Sequence, residues 1–193
     1  MHISGVLLSG VLTLAIAGPL VAGDTQVVFS AGLLYNQGNT IDLTQKTSGG
    51  YTAEAGVLFA PENFGPKIHV YAGFAHFPAS GGTDERPTFA LDSTRLGMDL
   101  VYRPLENAPL SVLVGPSFHI WKGKQSGGDP SNYPSDQHIK LGWRVGLGYD
   151  LSAAWAVSLH YTFTEWRSNS DIDLGPTNPS RPAYFSLMGS YRF

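Results

Sequence analysis

Apolar and polar side chains alternate with a period of two along most of this chain. The alternation is clearest in the last segment, where every second position is apolar or Gly and the positions between them are mostly small or polar. The positions that are apolar or Gly are Phe185, Leu187, Gly189, Tyr191 and Phe193. A period of two predicts a β-strand with one face against apolar surroundings and the other against polar ones.

Eight segments of about ten residues share this pattern, and turn residues separate them. The apolar face of these segments carries, in chain order and among other side chains, Leu33, Val57, Val70, Leu96, Val112, Trp143, Leu159 and Leu187. No charged residue occurs in the apolar sets that we assign to these segments. Lys or Arg on a lipid-facing surface costs about 2–4 kcal/mol at the bilayer midplane. The pattern therefore predicts an eight-stranded antiparallel up-and-down barrel that crosses a membrane with its apolar face outward.

The connections between the segments alternate in length. Short connections occur at residues 60–66, 103–109 and 150–154, and long ones at residues 36–50, 78–88, 122–137 and 168–181. The long connections are rich in Gly, Pro, Ser, Asn and Asp, which favour turns and loops. Short periplasmic turns and long outer loops are typical of outer-membrane barrels. We therefore expect both termini in the periplasm and four loops outside.

A soluble barrel that holds a ligand among apolar side chains is the structural alternative, since such barrels can also have eight strands. In that arrangement about twenty large apolar side chains would have to fit inside a barrel barely wide enough for side chains. Aromatic residues also cluster near both ends of the predicted strands, as they do at the two membrane interfaces. Both observations favour the membrane barrel.

The composition limits the other possibilities. The chain has 193 residues, enough for one domain, and only 14% of them are charged. A net charge of −3 gives no basic surface for nucleic acid. Cysteine is absent, which excludes disulfides and thiolate metal sites. We predict a cleaved signal peptide at residues 1–23, where an apolar stretch precedes Pro19 and small residues, and the barrel at residues 24–193.

With its alternating segments and its ending Ser190-Tyr191-Arg192-Phe193, the chain resembles the OmpA-type family of small outer-membrane β-barrels. The resemblance implies a monomer in the bacterial outer membrane, with a charged and hydrogen-bonded interior and variable outer loops. It also implies that a barrel-insertion machinery recognises the last strand. The insertion signal would consist of Phe185, Leu187, Tyr191 and Phe193.

The polar face of the predicted strands carries the charged residues. They are Glu54, His69, Arg95, Asp99, His119, Lys140, Arg144, His160 and Arg192. Ionised groups away from bulk water need partners, so we expect an ion-pair network that packs the interior. The alternative is a narrow, porin-like channel lined by Glu54, Arg95, Asp99, Lys140 and Arg144.

Enzymatic activity on lipid A is a further alternative, because barrels of this size include lipid A deacylases. Those enzymes carry a His, any residue, then Ser, with a Glu nearby; the nearest match here is His160 and Thr162 with Glu165. Thr replaces the nucleophilic Ser, and both side chains are predicted to face inward. Ser117 and His119 share a strand face, but residues two apart stand about 7 Å from each other, which predicts no direct hydrogen bond. We therefore predict a protein without catalytic residues.

The long connections carry the candidate contacts with lipid. Cations that would meet the phosphates of lipopolysaccharide are Lys122, Lys124, Arg167 and Arg181. Acidic pairs that could gather a divalent cation are Asp129 with Asp136 and Asp171 with Asp173. Acidic residues in a solvated loop usually serve solubility, so we predict no metal site and no cofactor. The predicted partners are outer-membrane lipid and lipopolysaccharide.

Overall fold

The computed structural model describes residues 25–37, 49–61, 64–78, 88–105, 108–126, 137–164 and 183–193. The predicted signal peptide lies outside the described residues. Within these ranges the chain forms eight strands: β1 Thr25–Asn36, β2 Gly49–Phe59, β3 Lys67–Phe77, β4 Thr88–Tyr102, β5 Leu110–Ser126, β6 Gln137–Asp150, β7 Trp155–Thr164 and β8 Ala183–Arg192. None of the described residues belongs to a helix long and apolar enough to cross a membrane.

The strands close into a barrel. Each strand pairs antiparallel with the next along the chain, and β1 pairs with β8 to complete the circle. At this seam Ala31 lies opposite Gly189, and the amide of Phe193 donates to the carbonyl of Val27 at 3.0 Å. Closure pairs the strand edges, which a lipid environment requires because it offers no water to unpaired backbone groups. The predicted eight-stranded antiparallel barrel is confirmed for the described part of the chain.

The sidedness of the barrel also agrees with the alternation. Leu96 and Trp143 are 44% and 46% exposed on the outer surface, whereas Arg95 and Arg144 are 2% and 1% exposed inside. Val112 and Leu159 are likewise exposed. Bulky apolar groups therefore face outward, and the alternative prediction, a soluble barrel with a ligand among apolar side chains inside, is wrong.

The ends of the barrel differ in their connections. Both described chain ends and the short connections lie at one end, which we call the short-turn end; the opposite end is the long-loop end. Short turns lie at the periplasmic end of outer-membrane barrels, so the orientation with the long-loop end outside the cell stays a prediction.

One strand boundary was predicted wrongly. Strand β5 runs to Ser126, because β4 and β5 pair from Gly97 opposite Ser117 as far as Thr88 opposite Ser126. Lys122 and Lys124 therefore lie on β5 and not in a loop. The backbone ladder continues past the point where the apolar alternation stops, since ladder hydrogen bonds do not depend on apolar side chains.

Candidate functional site

Four charged side chains meet near the middle of the barrel interior. Oε1 of Glu54 accepts hydrogen bonds from Nη2 of Arg95 and Nη1 of Arg144, each at 2.6 Å. Arg144 also donates through Nη2 to Asp99 and through Nε to Oδ1 of Asp99, the latter at 3.3 Å. All four residues are buried. Two carboxylates and two guanidinium groups balance each other's formal charge, as burial requires. We call these four residues the central network.

Aromatic and hydroxyl groups complete the surroundings of the two arginines. The guanidinium carbon of Arg144 lies 3.8 Å from the ring centroid of Tyr71, in cation–π contact. Arg95 donates to the hydroxyl of Tyr184 and to Oγ1 of Thr52, both at 2.6 Å. Arginine suits this position because its planar group can bind several acceptors and an aromatic face at once.

A glycine makes room for this packing. A Cβ atom on Gly97 would overlap the hydroxyl oxygen of Tyr71 and the ring carbon that bears it, since both atoms lie well inside van der Waals contact with that position. The absence of a side chain at Gly97 thus allows the Tyr71 ring to lie across β4 beneath Arg144.

Toward the long-loop end, the central network is covered by an apolar layer. Its members, all buried, are Leu34, Ala75, Phe77, Leu91, Trp121 and Tyr184. The rings of Phe77 and Tyr184 meet edge to face with their centroids 5.4 Å apart, and Trp121 stacks on Phe77 at 6.4 Å. Such contacts give dense packing across the interior.

Toward the short-turn end, the interior contains a cavity of about 50 Å³. Its wall is mixed and includes Ser30, Leu58, Ser111, Leu113, Ser158 and His160. Ser30 and Ser190 bond to each other across the seam of the barrel at 2.8 Å. The interior thus has three levels along the barrel axis: a cavity with a mixed wall, the central network and the apolar layer.

The other predicted interior residues occupy separate places. His69 lies beside the central network, with Nδ1 3.8 Å from Oδ2 of Asp99. Lys140 lies opposite His119 near the long-loop end and is half-buried. Arg192 lies at the short-turn end, where it donates to Oδ1 of Asp150 at 2.7 Å. The structure therefore does not join Arg192 to the central network.

Asp150 also accepts a hydrogen bond from Arg103, whose side chain is 41% exposed. We call Arg103, Asp150 and Arg192 the rim cluster. Arg103 and Asp150 were not predicted from the sequence, because both were assigned to connections. The signal that could have found them is that each directly adjoins the end of a predicted strand.

The prediction that Ser117 and His119 are too far apart for a hydrogen bond was wrong. Nε2 of His119 lies 2.8 Å from Oγ of Ser117, and Nδ1 lies 3.1 Å from Oγ of Ser93. The imidazole is long enough to lean along the strand toward the short serine side chain, which Cα spacing alone does not reveal. His119 also stacks on Trp121, and both Ser117 and His119 have 0% exposure. A substrate therefore has no access to this pair.

His160 and Thr162, the nearest match to the deacylase pattern, both face the interior and are buried. Neither ring nitrogen of His160 nor Oγ1 of Thr162 has a hydrogen-bond partner among the described residues. Glu165 lies outside those residues. This pair is thus turned away from lipid, and no nucleophile–base contact joins it.

A hydrogen-bonded pair of histidine and aspartate lies on the outer surface, near the long-loop end. Nδ1 of His76 lies 2.5 Å from Oδ1 of Asp92. The His76 ring centroid is 4.9 Å from that of Tyr51 and 6.3 Å from that of Phe74. Lys122 lies directly opposite Asp92 on β5, at the same level. We call Tyr51, Phe74, His76, Asp92 and Lys122 the outer-rim cluster.

Two members of this cluster, His76 and Asp92, were not predicted from the sequence. They continue the outward parity of Phe74 and Thr94, but the apolar sets that we assigned to these two strands run only from Ile68 to Phe74 and from Thr94 to Tyr102. Extending each alternation by one step into the flanking polar residues would have placed both side chains on the outer surface.

The depth of the outer-rim cluster follows from strand geometry. Asp92 lies about ten residues along β4 from Tyr102, which at ~3.4 Å per residue and a tilt of ~40° spans about 26 Å along the barrel axis. The apolar band of an outer-membrane barrel is about 25 Å tall. The cluster therefore lies at headgroup level, where a charge costs only about 0–1 kcal/mol.

The described residues contain no group of three or more His, Asp or Glu side chains that could hold a metal ion. Asp129, Asp136, Asp171 and Asp173 lie outside those residues, as do Arg167 and Arg181.

A closed antiparallel barrel with apolar side chains outside and ion pairs inside defines a transmembrane β-barrel of the outer-membrane class. The chain belongs to the outer membrane protein beta-barrel domain family, whose model matches residues 6–193. It resides in the bacterial outer membrane, as the OmpA-type resemblance implied.

Solved structures with the same fold have little sequence in common with this chain. Neisserial surface protein A is 14% identical with a TM-score of 0.55, covering 88% of this chain and 97% of that protein. Ail of Yersinia pestis is 13% identical with a TM-score of 0.51, covering 88% and 99%. A major outer membrane protein of Thermus thermophilus is 17% identical with a TM-score of 0.51, again covering 88% and 99%. Identities this low show the fold alone. No curated protein matches the chain.

Proposed function

We propose that this protein is a non-enzymatic, non-conducting component of the outer membrane that serves envelope structure and surface interaction. The observation that carries the proposal is the stacking of the apolar layer on the central network inside the barrel. Both levels consist of buried side chains contributed by several strands.

Conduction through this interior would require the central network to separate. Glu54 holds two guanidinium groups, and Arg144 holds two carboxylates, so moving one side chain leaves other buried charges without partners. Breaking a buried ion pair by removing one partner costs about 3–5 kcal/mol. Above the network, Phe77 and Trp121 would also have to move apart for an ion to pass.

Planar-bilayer recording tests the proposal. We expect the folded wild-type barrel, identified by its shifted mobility on unheated gels, to give no discrete conductance steps. A matched preparation with Trp121→Ala and Arg144→Ala removes one large side chain from each level and should increase ion leakage. Reproducible steps from the wild-type protein would contradict the proposal.

The narrow channel is the second candidate, and the cavity at the short-turn end favours it. This cavity includes Glu54 and Arg192 in its wall, so charged groups face it. On this view the central network would act as a gate. The same recordings decide between the two, because a gated channel must show steps whose ion selectivity changes in Glu54→Gln.

Lipid A hydrolysis is not supported by the described residues. His160, Thr162, Ser117 and His119 are all buried in the interior, whereas an acyl chain of lipid A lies outside the barrel. We expect lipid A from cells that express the protein to keep its acyl chains in mass spectra. Loss of an acyl chain that depends on His160 would restore the enzyme hypothesis.

The proposed partners are outer-membrane lipid, lipopolysaccharide and the barrel-insertion machinery. The cationic lipopolysaccharide contacts remain Lys122, Lys124, Arg167 and Arg181, of which only Lys122 has a described side chain.

In the insertion signal, Leu187 and Phe193 are exposed on the outer surface, while Phe185 and Tyr191 are half-buried. The similar protein Ail is an attachment invasion locus protein and was crystallised with a heparin analogue. For this chain, surface interaction is proposed from its long connections, where function varies among barrels.

A further inference from the structure

We propose that the outer-rim cluster binds the phosphorylated sugar headgroup of a glycolipid in the outer leaflet. The inference deepens the proposed contact with lipopolysaccharide, because it assigns that contact to a particular site. It is carried by the joint presence of aromatic rings, an oriented imidazole, a carboxylate and an ammonium group on one outward-facing level of the barrel.

The imidazole in this cluster is held in a defined orientation. Nδ1 of His76 bonds to Asp92, and the ring packs against the rings of both Tyr51 and Phe74, which also contact each other with centroids 6.4 Å apart. The side chains of His76 and Asp92 keep 23% and 20% of their surface exposed, so both can reach a ligand. With Nδ1 donating to the carboxylate, Nε2 is the ring nitrogen that faces a ligand, and it donates to a phosphate oxygen in the imidazolium form, in which both ring nitrogens carry a proton.

The register of the sheet places complementary groups side by side. His76 lies opposite Asp92, and Asp92 lies opposite Lys122, so the three side chains follow one level across β3, β4 and β5. A phosphate group accepts hydrogen bonds from Lys122 and His76. The carboxylate of Asp92, which would repel a simple anion, accepts hydrogen bonds from sugar hydroxyls.

This combination favours a phosphorylated sugar over a plain anionic phospholipid. A phosphate diester with a small headgroup satisfies the cations but presents fewer donors to Asp92. A sugar supplies both hydroxyl donors and an apolar ring face, and the exposed ring of Tyr51 suits the latter. The level of the cluster, at the edge of the apolar band, is where such a headgroup lies.

Native mass spectrometry of the detergent-solubilised barrel tests the inference with three purified probes. These are bisphosphorylated lipid A, lipid A without phosphates, and phosphatidylglycerol. We expect the wild-type protein to retain bisphosphorylated lipid A about tenfold more strongly than either other probe. Lipid A without phosphates loses the contacts with Lys122 and His76, and phosphatidylglycerol presents fewer hydrogen-bond donors to Asp92.

Three variants address the cluster directly, with a matched control elsewhere on the barrel. His76→Ala, Asp92→Asn and Lys122→Ala should each weaken the retention of bisphosphorylated lipid A about three- to tenfold. Lys67→Ala removes a cation from the opposite end of β3 and should leave retention unchanged. Each variant must first show the mobility of a folded barrel on an unheated gel.

Several outcomes would overturn the inference. Equal retention of phosphatidylglycerol and bisphosphorylated lipid A would show that no sugar is recognised. If Lys67→Ala and Lys122→Ala lost the same amount of lipid A retention, the effect would come from general attraction between charges and not from the outer-rim cluster. These results would leave the closed interior intact, whereas conductance steps in the wild-type protein would remove the closed interior and leave the lipid site standing.

Discussion

The central network and the rim cluster use the same chemistry in different surroundings. Each joins arginine to carboxylate, but the central residues have side-chain exposures of 0–2%, while in the rim cluster the exposures are 41% for Arg103, 16% for Arg192 and 15% for Asp150. Buried ion pairs carry a large penalty when one partner is lost, and exposed pairs contribute about 0–1 kcal/mol. The burial of an ion pair, more than the pairing itself, therefore determines how much stability this barrel loses when an arginine is removed.

The largest expected effect comes from removing the arginine that joins both carboxylates of the central network. Arg144→Met keeps much of the side-chain volume but removes both contacts of Arg144 with Asp99, beside which His69 remains at 3.8 Å, and one of the two guanidinium partners of Glu54. We expect the free energy of unfolding to fall by about 3–5 kcal/mol. Urea unfolding in lipid vesicles, followed by tryptophan fluorescence, measures this difference.

A combined variant serves as the control for Arg144→Met. Replacing Glu54, Arg95, Asp99 and Arg144 together by uncharged residues of similar size removes the unpaired charges. It should be less destabilising than Arg144→Met alone. If the combined variant were the less stable of the two, the penalty would not come from uncompensated charge.

The next effect concerns the packing that supports the network. Gly97→Ala would place a Cβ atom against the Tyr71 hydroxyl, so the ring beneath Arg144 must move. We expect a loss of about 1–3 kcal/mol in the same unfolding measurement. Gly189→Ala is the matched control, since a Cβ there would meet nothing within 4 Å and should change stability little. Equal effects of the two substitutions would point to β-propensity and not to crowding.

The architecture of this protein could be predicted from its sequence because period-two alternation reports directly on the two surroundings of each strand. Leu96 and Arg95 are adjacent in sequence but face opposite sides of the barrel wall. Because one is apolar and the other charged, the sequence indicates that the Leu96 side faces lipid. Partnerships inside the barrel could not be predicted. Whether Arg144 meets Glu54, on a strand far away in sequence, depends on register and on side-chain length.

The site residues that were not predicted lie where the outward-facing positions of a strand change from apolar to polar. His76, Asp92 and Asp150 lie just beyond the apolar runs from which the strands were predicted, where a polar residue is equally typical of a loop. The backbone ladder includes all three positions, and pairing between strands decides which side each residue takes. The error on Ser117 and His119 has a related cause, since Cα spacing describes the backbone and not the reach of a side chain.

The smallest expected effect lies in the rim cluster. Asp150→Asn removes the acceptor charge shared by Arg103 and Arg192 but leaves one amide oxygen, which can still accept from one of the two arginines. We expect a loss of about 1 kcal/mol or less in unfolding free energy. The loss should shrink further in ~1 M salt, where the screening length falls to about 3 Å. The effect of Arg144→Met should change far less with salt, because buried charges are screened weakly. Salt sensitivity thus separates the two clusters, and a large, salt-independent loss in Asp150→Asn would place the rim cluster in the same energetic class as the central network.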